Sequence, residues 1–259
     1  MAGDWSSDVC SSDLLLAKHR SIRKFRSEPI APEVLQDMLE AASRASTCGN
    51  MQLYSLIVTQ SRELREALAP CHFNQPMVTQ APCVITVCAD VHRFSMWCEQ
   101  RDAEPCYDNF AWFLNGVTDA LLAAQNLCVE AEAHGLGICY LGTTIYTAEE
   151  IARILDLPKG VIPVTTIVVG HPDESPELTD RLPLDAVVHC EKYHHYTSSE
   201  IDELWAEKET SEETRRLLEE NGLPNLAQIF TRNRYRAEDN LAISRNYFAL
   251  LKKQGFFNN

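Results

Sequence analysis

The chain has 259 residues, of which 45% are hydrophobic and 23% are charged, and its formal net charge at pH 7 is -14. A chain of this length can bury one sizeable core, so a single domain with extensions is expected. The acidity argues against nucleic acid or an anionic membrane as a partner, and no apolar run is long enough to cross a bilayer.

Residues 1–14 differ from the rest of the chain, because the stretch from Asp4 to Leu14 reads as the translation of a sequencing adapter. It has neither a basic start nor an apolar stretch, so it is not a signal peptide. We exclude it from the fold and expect the native N-terminus to have been lost at this junction. Without its three aspartates the net charge of -14 becomes -11, which is still strongly acidic.

Helical and strand-like patterns alternate along the chain. Apolar residues at three-four spacing after Pro32 predict the first helix, and Ser61 is a candidate N-cap of the second. Thr147 and Glu150 predict a capping box for a later helix. The predicted helices are 32–45, 61–69, 110–134, 147–155, 199–221 and 240–254, and the predicted strands are 53–59, 83–89, 138–141 and 161–170.

The predicted helix 110–134 is apolar on most of its circumference. Such a helix is usually central, with the core on one side and often a partner subunit on the other. Strands that alternate with helices around it predict an α+β or α/β three-layer domain. From about residue 198 the composition shifts to charged helices.

The chain contains ten cysteines but no Cys-x-x-Cys pair. Most lie in apolar stretches such as 83–88, which predicts reduced, buried thiols in a cytoplasmic protein rather than disulfides. Catalysis by Cys106 is disfavoured, since no neighbouring group evidently activates it. A metal site would find suitable ligands in one late cluster, but adjacent histidines on a loop are more typical of a surface, and we expect no metal. That cluster is His189, Cys190, His194 and His195.

The most informative segment is the run His-Arg-Ser-Ile-Arg-Lys-Phe at 19–25. Guanidinium groups bind planar oxyanions bidentately, and a serine hydroxyl adds a short donor. The first members of the run could grip a phosphate while Arg23 reaches a second anionic centre. The alternative is a solvated basic turn.

Four further segments could contact the same ligand. Residues 46–52 mix small and polar side chains directly after the first helix, and 73–76 form a polar loop before a strand. The segment 140–144 ends a strand with a glycine, which would let backbone amides approach a flat ring. The segment 178–183 places one arginine where it could contact a phosphate from the side opposite the run 19–25. Each segment has an ordinary alternative as a cap, a turn or a surface loop.

Together these segments, within residues 19–193, resemble the nitroreductase family of FMN-dependent oxidoreductases. They are most similar to its larger, oxygen-insensitive branch, which tends to prefer NADPH. The resemblance implies an α+β, three-layer nitroreductase-like fold, with a central mixed or antiparallel sheet flanked by helices and a long central helix in a homodimer. It implies an FMN-binding domain over 15–197 and a helical extension over 198–259 that packs on this domain.

The resemblance also implies roles for individual residues. Arg23 would lie at the pyrimidine edge of the flavin, and the backbone at Gly142 would approach N5, so these are the implied catalytic residues. The implied phosphate ligands are His19, Arg20, Ser21 and Arg181. The other implied cofactor-binding residues are Cys48, Gly49, Asn50, Gln52, Gln75, Tyr140, Leu141 and Thr143.

One departure from the family pattern affects the phosphate. The branch often carries Lys-x-Arg where this chain has Thr179, Asp180 and Arg181, so one phosphate contact is missing or supplied elsewhere. The run 230–236 lies where relatives reach the extra phosphate of NADPH, and its arginines suit a dianion. Arg232 and Arg234 are the implied ligands there, and a solvated basic helix start is the alternative.

The implied activity is ping-pong reduction of a nitroaromatic or quinone-type acceptor, with NADPH or NADH donating hydride through flavin N5. Geometry then matters more than a dedicated acid or base. The alternatives are a flavin or ferric reductase and a non-catalytic flavin-binding redox sensor. The natural acceptor and the nicotinamide preference stay open.

Overall fold

A computed structural model describes residues 15–258, so the predicted artefact at 1–14 lies outside the described part of the chain. The chain divides into two compact units. The first runs as far as Glu177 and resumes at Arg245, and the second is Leu178–Ser244. The domain boundary expected between residues 197 and 198 stays a prediction.

Four antiparallel strands form the sheet of the first unit, in the spatial order β1-β2-β4-β3. The four strands predicted from the sequence are therefore confirmed, and their order, which the sequence left open, is now defined. The strands are β1 (Tyr54–Thr59), β2 (Cys83–Asp90), β3 (Gly137–Leu141) and β4 (Val161–Gly170).

Helices cover the sheet and connect its strands. Ser61 caps the second helix, as predicted, because its side chain accepts a hydrogen bond from Leu64 N at 3.3 Å. The short third and fourth helices were not predicted from the sequence. The helices that lie wholly in the first unit are α1 (Pro32–Ser43), α2 (Arg62–Leu68), α3 (Met77–Gln80), α4 (His92–Glu99), α5 (Phe110–Ala133) and α6 (Ala148–Ile154).

The two faces of the sheet carry separate apolar clusters. On one face, α5 contributes Leu127 and Cys128 to a core with Ile85 and Ile138 of the strands. The other face is covered by the N-terminal segment and by α3. We call this second set the motif-face cluster, and its members are Ile22, Phe25, Ala69, Met77, Val78, Ala81, Val84, Cys139, Leu141 and Val168.

The second unit is helical. It contains α7 (Ser198–Thr210), α8 (Glu212–Asn221) and α9 (Leu226–Ile229). The last helix, α10 (Ala237–Lys253), begins in this unit and ends in the first. A single helix over 199–221 was predicted and is wrong, because Ser211 is extended (φ -61, ψ 154) and its side chain caps α8 through Thr214 N.

The predicted capping box at Thr147 and Glu150 is also wrong. Thr147 makes no side-chain cap to α6, because its hydroxyl instead donates to the Cys71 carbonyl at 2.7 Å. Glu150 pairs with Arg153 on the same helix. A capping box does occur at the start of α7, where Thr197 and Glu200 exchange hydrogen bonds. No helix within residues 15–258 is long and apolar enough to span a membrane.

Candidate active site

The basic motif is anchored along the edge of the sheet next to β3. Ser21 forms an isolated parallel bridge with Ile138, and Ile22 N donates to the Ile138 carbonyl at 2.8 Å. Phe25 forms a second bridge, with Pro172 just after β4. A Cβ on Gly137 would lie 2.6 Å from the Ile22 side chain, so only glycine allows this close approach. The motif is therefore held against β3 by backbone hydrogen bonds, which do not involve its polar side chains.

The polar groups of the motif have several partners within the first unit. His19 Nδ1 lies 2.8 Å from Glu132 Oε1, and Arg20 Nη1 donates to the Pro176 carbonyl at 2.8 Å. The backbone N–H groups of Arg23 and Lys24 both donate to Glu174 Oε1, at 2.6 and 3.1 Å. These bonds position the main chain at Arg23 without using its guanidinium group.

Cys139 of β3 follows Ile138, the bridge partner of Ser21, and its thiol is buried. Burial raises the pKa of the Cys139 thiol, and the nearby positive charge of Arg23 offsets this only in part. Cys139 belongs to the motif-face cluster, as do Ile22 and Phe25 of the motif itself. The apolar residues of the motif therefore pack on the same face of β3 as the Cys139 thiol.

Residues 48–52 form a left-handed loop between α1 and β1. Gly49 has φ +55, and the non-glycine residues Asn50 and Gln52 have φ +56 and +49. Side chains rarely adopt this conformation, and it costs about 1–2 kcal/mol per residue outside glycine, less for asparagine. The Gln52 side chain donates to Asn50 Oδ1 at 2.8 Å, which ties the two polar residues of the loop together.

A buried carboxylate, which the sequence reasoning missed, holds this loop. Asp119 of α5 is 1% exposed, and its two oxygens accept hydrogen bonds from Cys48 N at 2.8 Å and Leu53 N at 3.0 Å. The bonds therefore close the loop at both ends. The signal that could have found it is a lone charged residue on the buried side of an apolar helix, since such residues are almost never buried without partners.

Gln75 and the Gly142 turn are joined by a buried histidine that the sequence reasoning also missed. His72 is fully buried, and its Nδ1 lies 2.8 Å from Thr143 Oγ1. Gln75 N donates to the His72 carbonyl at 3.1 Å. Burial lowers the pKa of His72 to about 4, so its ring is neutral at neutral pH.

The end of β3 places its residues on different sides. Leu141 is buried in the motif-face cluster, whereas Tyr140 packs on the opposite face. Burial and the nearby Cys128 thiol raise the pKa of Tyr140. Gly142 begins a 3-10 turn, and a Cβ built on it would meet nothing within 4 Å, so the backbone there is open on one side. The Tyr140 side chain thus packs away from the motif-face cluster, and its role in the site stays a prediction.

The remaining predicted ligands lie in the second unit. Arg181 Nη1 donates to Thr179 Oγ1 at 2.7 Å and to the Asp180 carbonyl at 2.9 Å, so the residue that replaces the expected lysine now holds the arginine. Lys208 Nζ pairs with Asp180 Oδ2 at 2.7 Å. Arg234 lies over the Phe230 ring, 5.3 Å from its centroid.

The histidines of the late cluster contact each other and α7 within the second unit. His194 pairs with Glu200 at 3.0 Å, and its backbone N–H donates to His189 Nδ1 at 3.2 Å. No group of three or more His, Cys, Asp or Glu side chains among residues 15–258 could hold a metal ion. Every cysteine in the same range is free, and Cys106 and Cys190 are exposed.

Comparison with known proteins identifies the family. The sequence profile of the Nitroreductase family matches residues 16–112 and 69–171. The chain belongs to the nitroreductase family. An NADPH-dependent oxidoreductase of Staphylococcus aureus (strain USA300) is 36% identical over 184 residues, which are 70% of this chain and 73% of the relative.

Solved structures agree with this assignment. A crystal structure from Bacteroides fragilis NCTC 9343 is 48% identical with a TM-score of 0.92 and covers 94% of this chain and 99% of the other. The NADPH:FMN oxidoreductase from Vibrio harveyi, solved with NAD+, is 26% identical with a TM-score of 0.80 and covers 96% and 99%. The predictions of an α+β nitroreductase-like fold and of an oxidoreductase are confirmed.

Proposed function

We propose that this nitroreductase-family chain is an FMN-dependent NAD(P)H oxidoreductase that reduces nitroaromatic or quinone-type acceptors by a ping-pong cycle. One observation carries the proposal: a single apolar cluster underlies three of the predicted flavin-binding segments. The motif-face cluster contains Ile22 beside Ser21 and Arg23, Met77 shortly after Gln75, and Leu141 directly before Gly142. The segments that resemble a flavin site in the sequence therefore share one support.

The spacing along β3 suits a ligand with a phosphate at one end and a flat ring at the other. Ser21 pairs with Ile138, and Gly142 follows four residues later at the end of the strand. Strands rise about 3.3 Å per residue, so the two positions are separated by about 13 Å. The open side of Gly142, where a Cβ would meet nothing within 4 Å, leaves room for a ring against the backbone.

The residues present fit FMN. His19, Arg20 and Ser21 would hold its phosphate, and Arg23 would face the edge of the ring. Gln75, the backbone of residues 141–143 and the loop 48–52 would position the ring. When bound, FMN would supply hydride acceptance at N5 and electron transfer to the acceptor.

The protein residues would contribute electrostatics and geometry rather than acid–base catalysis. Glu174 fixes the main chain at Arg23, from which the exposed guanidinium would reach the flavin. A preorganised cation stabilises negative charge that develops next to it without reorganising during the reaction. The neutral, buried His72 adds no charge to the turn at Gly142.

The nicotinamide donor would be recognised in part by the second unit. Arg232 and Arg234 lie in the turn Phe230–Arg234, and both are exposed. We propose that they contact the 2′-phosphate of NADPH, since guanidinium groups suit a phosphate dianion. The Staphylococcus aureus relative, an NADPH-dependent oxidoreductase, supports this donor.

The protein would act as a homodimer through α5. This helix leaves Phe110, Leu114, Leu121 and Leu122 between 37% and 48% exposed. Several large apolar side chains exposed on one helix are typical of an interaction surface. A Leu121→Glu, Leu122→Glu double variant should then shift the mass measured by light scattering from dimer to monomer, and a monomeric native protein would contradict the proposal.

The free thiols of residues 15–258 fit a reducing, cytoplasmic setting.

The absorption spectrum of the purified protein tests the central proposal. We expect a bound yellow chromophore that heat denaturation releases as FMN, and anaerobic NADPH should bleach it. If no flavin is released, and none is taken up from added FMN, the proposal is wrong. A flavin that stays oxidised with both NADPH and NADH would instead indicate the redox-sensor alternative.

A second candidate function has support from one relative. The Vibrio harveyi neighbour is an NADPH:FMN oxidoreductase, so free FMN could be the acceptor here as well. Steady-state assays with NADPH and either free FMN or a nitroaromatic compound separate the two functions. The candidate with the higher kcat/KM is favoured, and turnover with neither of these compounds nor with a quinone would exclude both.

A further inference from the structure

His72 is a buried titratable group that the proposed chemistry does not use. Its side chain is fully buried, and Nε2 has no hydrogen-bond partner in the described part of the chain. An orphaned buried nitrogen is costly, and an apolar residue would fill the same space without that cost. Packing alone therefore does not explain a histidine at this position. What a histidine adds over an apolar residue is the hydrogen bond that Nδ1 makes.

Three contacts join the chain around His72 to the turn that follows β3. His72 Nδ1 and Thr143 Oγ1 are 2.8 Å apart, and Thr147 Oγ1 donates to the Cys71 carbonyl at 2.7 Å. The rings of Phe73 and Tyr146 are 6.0 Å apart. These contacts hold segments 71–75 and 142–147 together, although they are about 70 residues apart in sequence.

The segment after His72 needs such a fastening. Phe73 and Asn74 both have φ +54, a left-handed conformation that is costly for phenylalanine and less so for asparagine. Gln75 N donates to the His72 carbonyl at 3.1 Å, so the position of Gln75 follows that of His72. The imidazole therefore connects the predicted ring ligand Gln75 to the predicted N5 segment at Gly142.

We propose that His72 is a positioning residue, which fixes the Gln75 loop to the Gly142 turn and so sets the geometry of the two segments that would hold the flavin ring. This inference rests on the proposed function. The Thr143 hydroxyl is its partner, and the bond can form with either ring tautomer because a hydroxyl both donates and accepts.

Titration of the apo-protein with FMN, followed by flavin fluorescence, tests the proposal. His72→Leu and Thr143→Val should each raise the FMN dissociation constant about tenfold, the equivalent of one lost net hydrogen bond. His72→Asn, whose amide lies where Nδ1 does, should stay within about threefold of the native protein. The double variant should bind no more weakly than His72→Leu, because both changes remove the same bond.

Two further measurements separate positioning from a merely structural role. Thr86→Val is the matched control, because Thr86 is a fully buried threonine of β2 whose hydroxyl has no partner within residues 15–258, and it should leave FMN binding unchanged. The visible spectrum of flavin at saturating FMN should change in His72→Leu and not in the control. A purely structural role would lower the apo-protein Tm but leave the dissociation constant and the spectrum unchanged.

The possible failures are distinguishable. If the native protein binds no FMN, the proposed function fails, and this inference fails with it. If the native protein binds FMN but Thr143→Val and His72→Leu stay within twofold of it, or if their effects simply add, the inference alone is overturned. Thr143→Val keeps the side-chain shape, so it decides the outcome if His72→Leu does not fold.

Discussion

Replacing Asp119 is the sharpest test of how the candidate site is built. Its carboxylate is 1% exposed and accepts two backbone hydrogen bonds, from Cys48 N at 2.8 Å and from Leu53 N at 3.0 Å. Asp119→Asn keeps the size of the side chain but offers only one carbonyl oxygen. Its NH₂ group must then face one of the two backbone N–H donors.

The magnitude follows from the number of bonds lost. A hydrogen bond to a charged group contributes about 1.5–3 kcal/mol, and a buried donor left without a partner costs about 1–3 kcal/mol. Asp119→Asn loses one such bond, so the free energy of unfolding should fall by about 2–3 kcal/mol. Asp119→Ala loses both bonds, but it also removes the cost of burying a charge, so we expect a loss of about 3–4 kcal/mol.

Chemical denaturation of the apo-protein, analysed by linear extrapolation, measures this loss. The control is Asn126→Ala on the same helix, because Asn126 Nδ2 makes one neutral bond to the Ala41 carbonyl at 3.2 Å and should cost only about 1 kcal/mol. FMN binding by Asp119→Asn should also weaken, since the loop 48–52 loses one of its two anchors. If Asp119→Asn is as stable as the native protein within 0.5 kcal/mol, the carboxylate does not hold the loop.

Three further predictions concern ionisable residues that the proposals involve. Arg23→Ala should weaken FMN binding about 10- to 100-fold and slow flavin reduction, whereas Arg20→Ala should chiefly weaken binding. Stopped-flow reduction by NADPH distinguishes the two variants. Full flavin content and turnover in both variants would contradict the assignment. Arg234→Ala should raise the KM for NADPH more than that for NADH, and equal changes would remove the 2′-phosphate role. Burial lowers the pKa of His72 from 6.5 to about 4, so between these pH values the unfolded state binds a proton that the folded state does not. The contribution of neutral His72 to the free energy of unfolding is therefore complete above pH 6.5 and falls by up to about 3 kcal/mol as the pH approaches 4. The difference between the unfolding free energies of the native protein and His72→Asn should change over this pH range, and a constant difference would refute the prediction.

The sequence carried much of the fold because its local patterns are strong. The run 83–89 is rich in apolar and β-branched residues, and it forms the fully buried strand β2. The apolar circumference of 110–134 predicts a central helix, and α5 contacts the sheet core as expected. The basic motif, likewise, is a contiguous segment, and its backbone docks as one piece beside β3.

Errors arose where a local signal competed with a distant partner. Thr147 and Glu150 have the spacing of a capping box, but the Thr147 hydroxyl finds the Cys71 carbonyl, 76 residues away in sequence. The charged run 199–221 looks like one helix because helix-forming residues flank Ser211 on both sides. A serine is a good N-cap, and here it begins a second helix by accepting a bond from Thr214 N.

The two buried residues that the sequence reasoning missed share one physical role. Asp119 binds both ends of a loop with left-handed, non-glycine residues, His72 directly precedes another such loop, and each binds a group far away in sequence. A left-handed loop can be held open for a ligand only if the fold supplies bonds that outweigh its strain. Those bonds come from α5 for the loop 48–52 and from the turn after β3 for the loop 73–75. Neither hydrogen bond leaves a local spacing pattern in the sequence, because its donor and acceptor residues are 66–71 positions apart.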